Sequence, residues 1–264
     1  MEAKKEELII TREWLKEMKA CKAELQAFEQ YFPNSGEALE VLKRCEELDY
    51  KSFARWLVYH LPPIYPPLEL NNLIGNLFYP NDVHIKGDVS TQEVIYIKGN
   101  LKVDEKLTVN KYGKVCSGKG CVNADEIDIS GYAWIHSDTK ANSIIMSYCA
   151  GIHGCVIADN INLSCFAEIF GHTKAKVINF KGGFITGDVD ADEIINDGGI
   201  IKGNVNTIKI KNINGGQIRG DVDADEIIND GGLIRGDVNT FTIENINGGR
   251  VKGKITYKRS DEHK

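Results

Sequence analysis

The chain has 264 residues, 42% of them hydrophobic and 27% charged, with a formal net charge of −6. That balance excludes a disordered chain, and the acidity excludes a general nucleic-acid binder, whose affinity rests on a basic face. No run of about 18 apolar residues occurs, which excludes a transmembrane helix.

The opening MEAKKEELII has no long apolar stretch followed by small residues, so no secretory signal is expected. From residue 11 the chain reads as helices. Trp14, Met18, Cys21, Leu25, Phe28 and Phe32 recur at steps of 4, 3, 4, 3 and 4. They form the buried face of one helix, capped by Thr11 and ended before Pro33. Ser35 caps a second helix with Ala38, Leu42, Cys45 and Leu48 inward, and a third holds Phe53, Leu57 and Leu61. Three short helices within residues 1–61 make a marginal core, so this module is expected to lean on something larger. A connector at 62–70 carries four of the six prolines and should be stiff and extended.

Beyond it the grammar changes to glycine, β-branched residues and a repeat. The 33 residues 184–216 match 217–249 at 25 positions, and each 33-mer is two units of 16 and 17 residues opening on Ile-x-Gly-x-Val. Gly187, Gly203, Gly220, Gly236 and Gly253 anchor these units; traced backwards, the register passes Gly171, Gly154, His136 and Gly120 to Gly87, with a further unit near Gly99. Ile and Val alternate with polar residues, which is strand, and the endings NDGG and INGG suit positive φ. A unit this short is one coil of a narrow solenoid. The expected fold is mainly β: a single-stranded parallel β-helix of about ten coils over 71–257, with a small N-terminal α-helical domain and a polar tail at 258–264. Val189, Val205, Val222, Val238 and Ile255 should stack inward. Asp188, Asn204, Asp221 and Asp237 should form an outer acidic file beside a basic file of Thr186, Lys202, Arg219, Arg235 and Lys252, most of these charges pairing laterally.

GDVDADEIINDGG occurs twice, at 187–199 and 220–232, each copy with five carboxylates. A calcium loop of helix–loop–helix type needs glycine sixth and glutamate twelfth; counted from Asp188, those places hold Glu193 and Gly199. A glycosidic acid/base pair needs an apolar cleft, whereas Asp188 and Asp190 sit on an alternating strand with Lys and Arg nearby. A solvated repeat face accounts for the cluster.

Unusual side chains gather instead at 116–175. Trp134, His136, His153, Cys155, Phe170 and His172 are the candidate recognition patch. In this register Cys121, Ser137, Cys155 and His172 share the slot of Asp188, and His153 and Phe170 that of Thr186. His153 and Cys155 then point the same way with His172 one coil above, three ligand types suited to zinc, although the spacing matches no zinc motif. No nucleophile elbow, phosphate loop or dinucleotide fingerprint is present, so no catalytic residue, metal or cofactor is assigned. The seven cysteines (21, 45, 116, 121, 149, 155 and 165) lack a paired spacing, which places reduced thiols in a cytoplasmic protein.

The short-coil repeat with its I-K/R-G-D/N-V openings, over about 83–257, resembles the bactofilins, bacterial polymer-forming cytoskeletal proteins. The resemblance implies a parallel β-helix, no enzymatic activity and nucleotide-independent end-to-end assembly. The stretch 11–61, with Ala20-Cys21, Phe28, Phe32-Pro33 and the later Trp56-Leu57, is similar to a small helical module of uncharacterised bacterial and phage proteins; it implies no activity.

The expected function is a non-enzymatic structural or assembly protein. Its helices cap one end, and its bare C-terminal end pairs with a second copy through Val251, Ile255 and Tyr257. One alternative is a rigid module that blocks or decoys a partner protein in a phage or host-defence setting, its acidic file imitating phosphates. A second is a β-helix enzyme acting on carbohydrate, which the short, loop-free coils disfavour. The expected partners are a second copy and an unidentified protein, with no direct nucleic-acid contact and no membrane span.

Overall fold

The computed structural model describes residues 8–259; the expectations for 1–7 and for 260–264 of the polar tail concern positions outside these. The N-terminal module opens with β1 (Ile9–Thr11), antiparallel to β2 (Ser35–Glu37). Its helices are α1 (Arg12–Glu17), α2 (Lys22–Tyr31), α3 (Ala38–Glu47) and α4 (Lys51–His60). The single helix expected over 11–32 is therefore two. Lys19 takes φ 63, a left-handed conformation that a right-handed helix does not accommodate. Beyond the break, the Glu24 carboxylate accepts the Cys21 N–H at 2.6 Å and starts α2 afresh, leaving Cys21 exposed rather than buried. Thr11 does cap α1, its Oγ1 accepting from Trp14 N at 3.1 Å. Ser35 lies in β2, and Glu37 caps α3 instead by accepting the Glu40 N–H at 2.9 Å.

Phe28, Val41, Leu42, Cys45, Phe53, Leu57 and Leu61 bury together, and Phe78 of the solenoid completes their cluster. Burial pushes the Cys45 thiol up to about 12, so it stays protonated and inert. Val94 and Tyr96 of the next coil pack on the same cluster, and Leu39 touches both this core and the solenoid core. The module thus leans mainly on one side of the first two coils, and Ile74 of the first coil remains 88% exposed.

The connector is tied down by side chains. Asn81 Nδ2 donates to Ile64 O at 2.9 Å and the Tyr79 hydroxyl to Pro66 O at 3.0 Å. Strand Leu68–Leu70 already pairs with Val83–Ile85, so the solenoid begins inside the stretch expected as connector.

The solenoid has about 11 turns, each strand parallel to its equivalents one coil before and after. Every coil has three sides. Side A of one coil holds Val189-Asp190-Ala191, side B Glu193–Asp197, and side C Ile200–Ile201; they pair with 205–207, 209–213 and 217–218 of the next. Val189, Val205, Val222, Val238 and Ile255 stack inward on side A as the alternation predicts. Ile194, Ile210 and Ile227 do so on side B and Ile201, Ile218 and Ile234 on side C, all but excluded from solvent. Each such side chain contributes about 1.5–3 kcal/mol by burial.

The two glycines of NDGG and INGG have separate tasks. Gly215 takes φ +81 with open space around it, so its role is the left-handed turn from side B to side C. Gly216 has no such φ, yet a Cβ there would lie 2.5 Å from Asn212 Oδ1 and 2.6 Å from the Asn196 carbonyl. It leaves room for a buried amide ladder. Asn196, Asn212 and Asn229 are fully buried, and each donates from Nδ2 to Oδ1 of the next, ending on Asn245, at 2.8 Å per step.

One part of the sequence register is off. The glycine file at the corner from side C to side A runs Gly99, Gly120, Ser137, Gly154, Gly171 and Gly187, since a Cβ on each later glycine meets the backbone of the one before. The place given to His136 thus belongs to Ser137, and Asp138 takes the slot of Asp188 that was given to Ser137. Gly87 lies at a different corner, against Asn71 and Asn72. The slip begins at an irregularity between Cys116 and Cys121, where the pairing register shifts.

Candidate functional site

Side C carries the expected patch in part. Trp134, His136, His153 and Phe170 come together on adjacent coils because Trp134–His136, Gly151–His153 and Glu168–Phe170 pair in register. A Cβ on Gly151 would fall inside the Trp134 ring, so the indole lies across the bare backbone of the next coil. Its ring is 17° from coplanar with His136 and 31° from Phe170. His153 stands upright among them, at 80° to Trp134 and 72° to Phe170 with centroids 5.0 and 4.6 Å away, the edge-to-face geometry aromatic rings favour. Burial depresses the His136 pKa, helped by His153 and by Lys114, so the ring resists protonation. The arrangement is an apolar stacking platform.

Cys155 and His172 do not join it. Strand Gly151–His153 ends at Gly154, the chain turns, and Cys155 begins side A beyond the corner. The Cys155 N–H donates to Asp138 Oδ1 at 2.8 Å, and His172 Nε2 lies 3.1 Å from Asp190. The expectation that His153, Cys155 and His172 share a face is therefore corrected. Among the described residues no group of three His, Cys, Asp or Glu side chains is placed to hold a metal ion.

Towards the C-terminus the same side becomes cationic. Lys202, Arg219, Arg235 and Lys252 follow one another at one residue per coil, each backbone N–H bonded to the previous coil's isoleucine carbonyl. All four side chains are exposed, and among the described residues none forms an ion pair. The expected lateral pairing with the acidic file is thus absent, and the reason is geometric. Round the glycine corner, the carboxylates turn along the axis to accept backbone N–H groups. Asp188 receives Asn204 N at 2.8 Å, Asp221 receives Asp237 N at 2.8 Å, and Asp237 receives Lys254 N at 2.7 Å.

On side A these residues edge a longitudinal groove of about 580 Å³, lined by Asp188, Asp190, Asp221, Asp223 and Asp237 among others. Asp223 is paired with Lys258 at 2.6 Å, and its carboxyl is held below the usual range by hydrogen bonds from Lys258 and Asn239 despite its partial burial. Asp188, Asp221 and Asp237 have no cation partner among the described residues.

At the C-terminal end, Val251 and Ile255 are half-buried on the solenoid core and Tyr257 is 61% exposed. Tyr257 occupies the inward file, directly over Thr240. The residues sequence reasoning missed are Gly151, whose role shows only once Trp134 is seen above it, and the Asn ladder. The ladder's signal was available: Asn196, Asn212, Asn229 and Asn245 recur at 16 or 17 residues just before the turn.

No protein-family model matches the chain, and no match was found among curated proteins or solved structures. The fold therefore stands on its own geometry: a parallel β-solenoid with a helical module, and no helix among the described residues long and apolar enough to cross a membrane.

Proposed function

We propose that the chain is a non-enzymatic structural protein that pairs with a second copy through its C-terminal coil. The observation that carries this reading is the last coil itself. Strands Thr242–Ile246, Arg250–Val251 and Ile255–Tyr257 each pair with the coil before, and no described strand follows them. Such open edges, with Ile243, Val251 and Ile255 half-buried at the base of the core and Ile246 and Tyr257 exposed, are templates for another chain. The Asn ladder ends there too, on an exposed Asn245 whose Nδ2 has no acceptor among the described residues.

The helical module packs beside the first two coils, on Phe78, Val94 and Tyr96, and leaves the last coil clear; a head-to-head pair there is a two-fold contact that uses the same patch on both copies. The bactofilin-like repeat supports end-to-end assembly as the mode, and seven free cysteines fit a reducing, cytoplasmic setting. Light scattering after size exclusion tests the reading. A dimer is expected for the full chain, and a monomer on substituting Val251→Lys with Ile255→Lys while circular dichroism is kept. A full chain that stays monomeric at high concentration overturns it.

A further inference from the structure

Two features of the solenoid are complementary to each other and do not pair within one copy among the described residues. On side C, Lys202, Arg219, Arg235 and Lys252 form an exposed ridge with no ion-pair partner among the described residues, in a chain whose net charge is −6. On side A, round the corner, lies the acidic groove of about 580 Å³. We propose that the ridge of one copy docks laterally into the groove of another, a contact separate from end pairing.

Shape and charge agree, since flexible cationic side chains project where carboxylates edge a hollow. The decisive match is spacing. Both files repeat once per coil, about 4.8 Å, because both are written on the same solenoid. A phosphate backbone or an extended peptide has its own repeat and drifts out of step; a second copy of this chain stays in step over every coil. The file also restricts the setting. Lys254 holds the next place after Asp237 in the acidic file, so an unshifted parallel docking sets Lys252 against Lys254. A parallel docking shifted by one coil sets Lys202, Arg235 and Lys252 against Asp188, Asp221 and Asp237, and an antiparallel docking sets Lys202, Arg219 and Lys252 against Asp237, Asp221 and Asp188; neither makes a like-charge contact. The two faces differ, so each copy in such a contact keeps one free ridge and one free groove, and growth is open.

Exposed ion pairs are weak and screened, so the association belongs to low ionic strength and fades near 1 M salt, where the Debye length falls to about 3 Å. Sedimentation velocity on the full chain tests this. Wild type is expected to form species larger than its high-salt form at low salt. One variant, Lys202→Glu with Arg219→Glu and Arg235→Glu, removes the ridge. A second, Asp188→Asn with Asp221→Asn and Asp237→Asn, neutralises the groove yet keeps the backbone acceptor, as Asn204 does natively in accepting Asp221 N at 2.9 Å. Each variant alone is expected to lose the salt-sensitive species, and an equimolar mixture to regain it, because one retains the groove and the other the ridge. Wild type without a salt-sensitive species, or a mixture that does not associate, overturns the proposal. So does ridge-dependent binding of single-stranded DNA or anionic vesicles without self-association. The high-salt form reads end pairing independently, so failure of either contact is recognised by itself.

Discussion

The indole of Trp134 lies in the space that a side chain on Gly151 would fill. Gly151 has no left-handed φ to justify it; its reason is the ring above. Gly151→Ala is therefore expected to lift the indole off the sheet and break its contacts with His153 and Phe170. The near-ultraviolet circular dichroism should change while the far-ultraviolet spectrum stays. The loss of stability should be about 1–2 kcal/mol, as for a surface packing defect with some backbone strain. A spectrum identical to wild type would show that the ring has room to spare.

The glycines of the repeat divide into two kinds, and substitution separates them. A Cβ on Gly203 would strike the carbonyl of Gly187 one coil away, backbone against backbone. Gly203→Ala is expected to cost about 3 kcal/mol or more, since the coils cannot part without losing ladder hydrogen bonds. Gly215 has nothing within 4 Å of the same position and only its φ of +81 to protect. Gly215→Ala is expected to cost about 1–2 kcal/mol, the penalty of a left-handed alanine. Urea denaturation of both variants checks the order; equal costs would mean that coil spacing is looser than it stands here.

The same contrast explains what was legible in the sequence. The period, the inward Val189–Ile255 ladder and the turns at NDGG and INGG follow from local chemistry repeated at fixed spacing. Residues 116–137 escaped because the irregularity between Cys116 and Cys121 shifts the register, and nothing in the alternation reveals it. In the sequence His153 and Cys155 read as one face because polar and apolar residues alternate straight through Gly154. The chain turns there, so alternation in sequence outlives the strand. In the helical module, the apolar steps from Trp14 to Phe32 continue across a break at Lys19 that only backbone conformation discloses.

His136 gives the side-C platform a pH dependence of known sign. Its pKa is lowered chiefly by burial, then by His153 and Lys114, so the folded protein binds this proton less readily than the unfolded chain does. Stability from this group is fully present above the ordinary histidine value of about 6.5. It is lost as pH falls through that value and levels off below the lowered pKa. The His136 imidazole resonance should titrate below the ordinary midpoint, and His136→Gln should flatten the melting temperature between pH 7.5 and 5. A midpoint at or above the ordinary value would contradict the placement.

The Asn ladder offers the sharpest test of the core, because its inner amides, Asn212 and Asn229, both accept and donate. Asn212 accepts from Asn196 and donates to Asn229, both at 2.8 Å and all three fully buried. Asn212→Ala strands Asn196 Nδ2 and Asn229 Oδ1 together, at an expected cost of about 2–4 kcal/mol. Asn245→Ala, at the exposed end, should cost less. Asn212→Asp is the discriminating variant. As a carboxylate it still accepts from Asn196 but has no proton for Asn229, and the charge is buried. Burial raises its folded pKa above the unfolded value, so the penalty is full at high pH and shrinks as pH falls through the folded pKa. Once protonated, the acid donates to Asn229 Oδ1 and the ladder closes again. Denaturation of Asn212→Asp relative to wild type should therefore show a deficit at pH 8 that narrows towards pH 4. A deficit that stays constant over that range would mean that the side chain leaves the ladder for solvent.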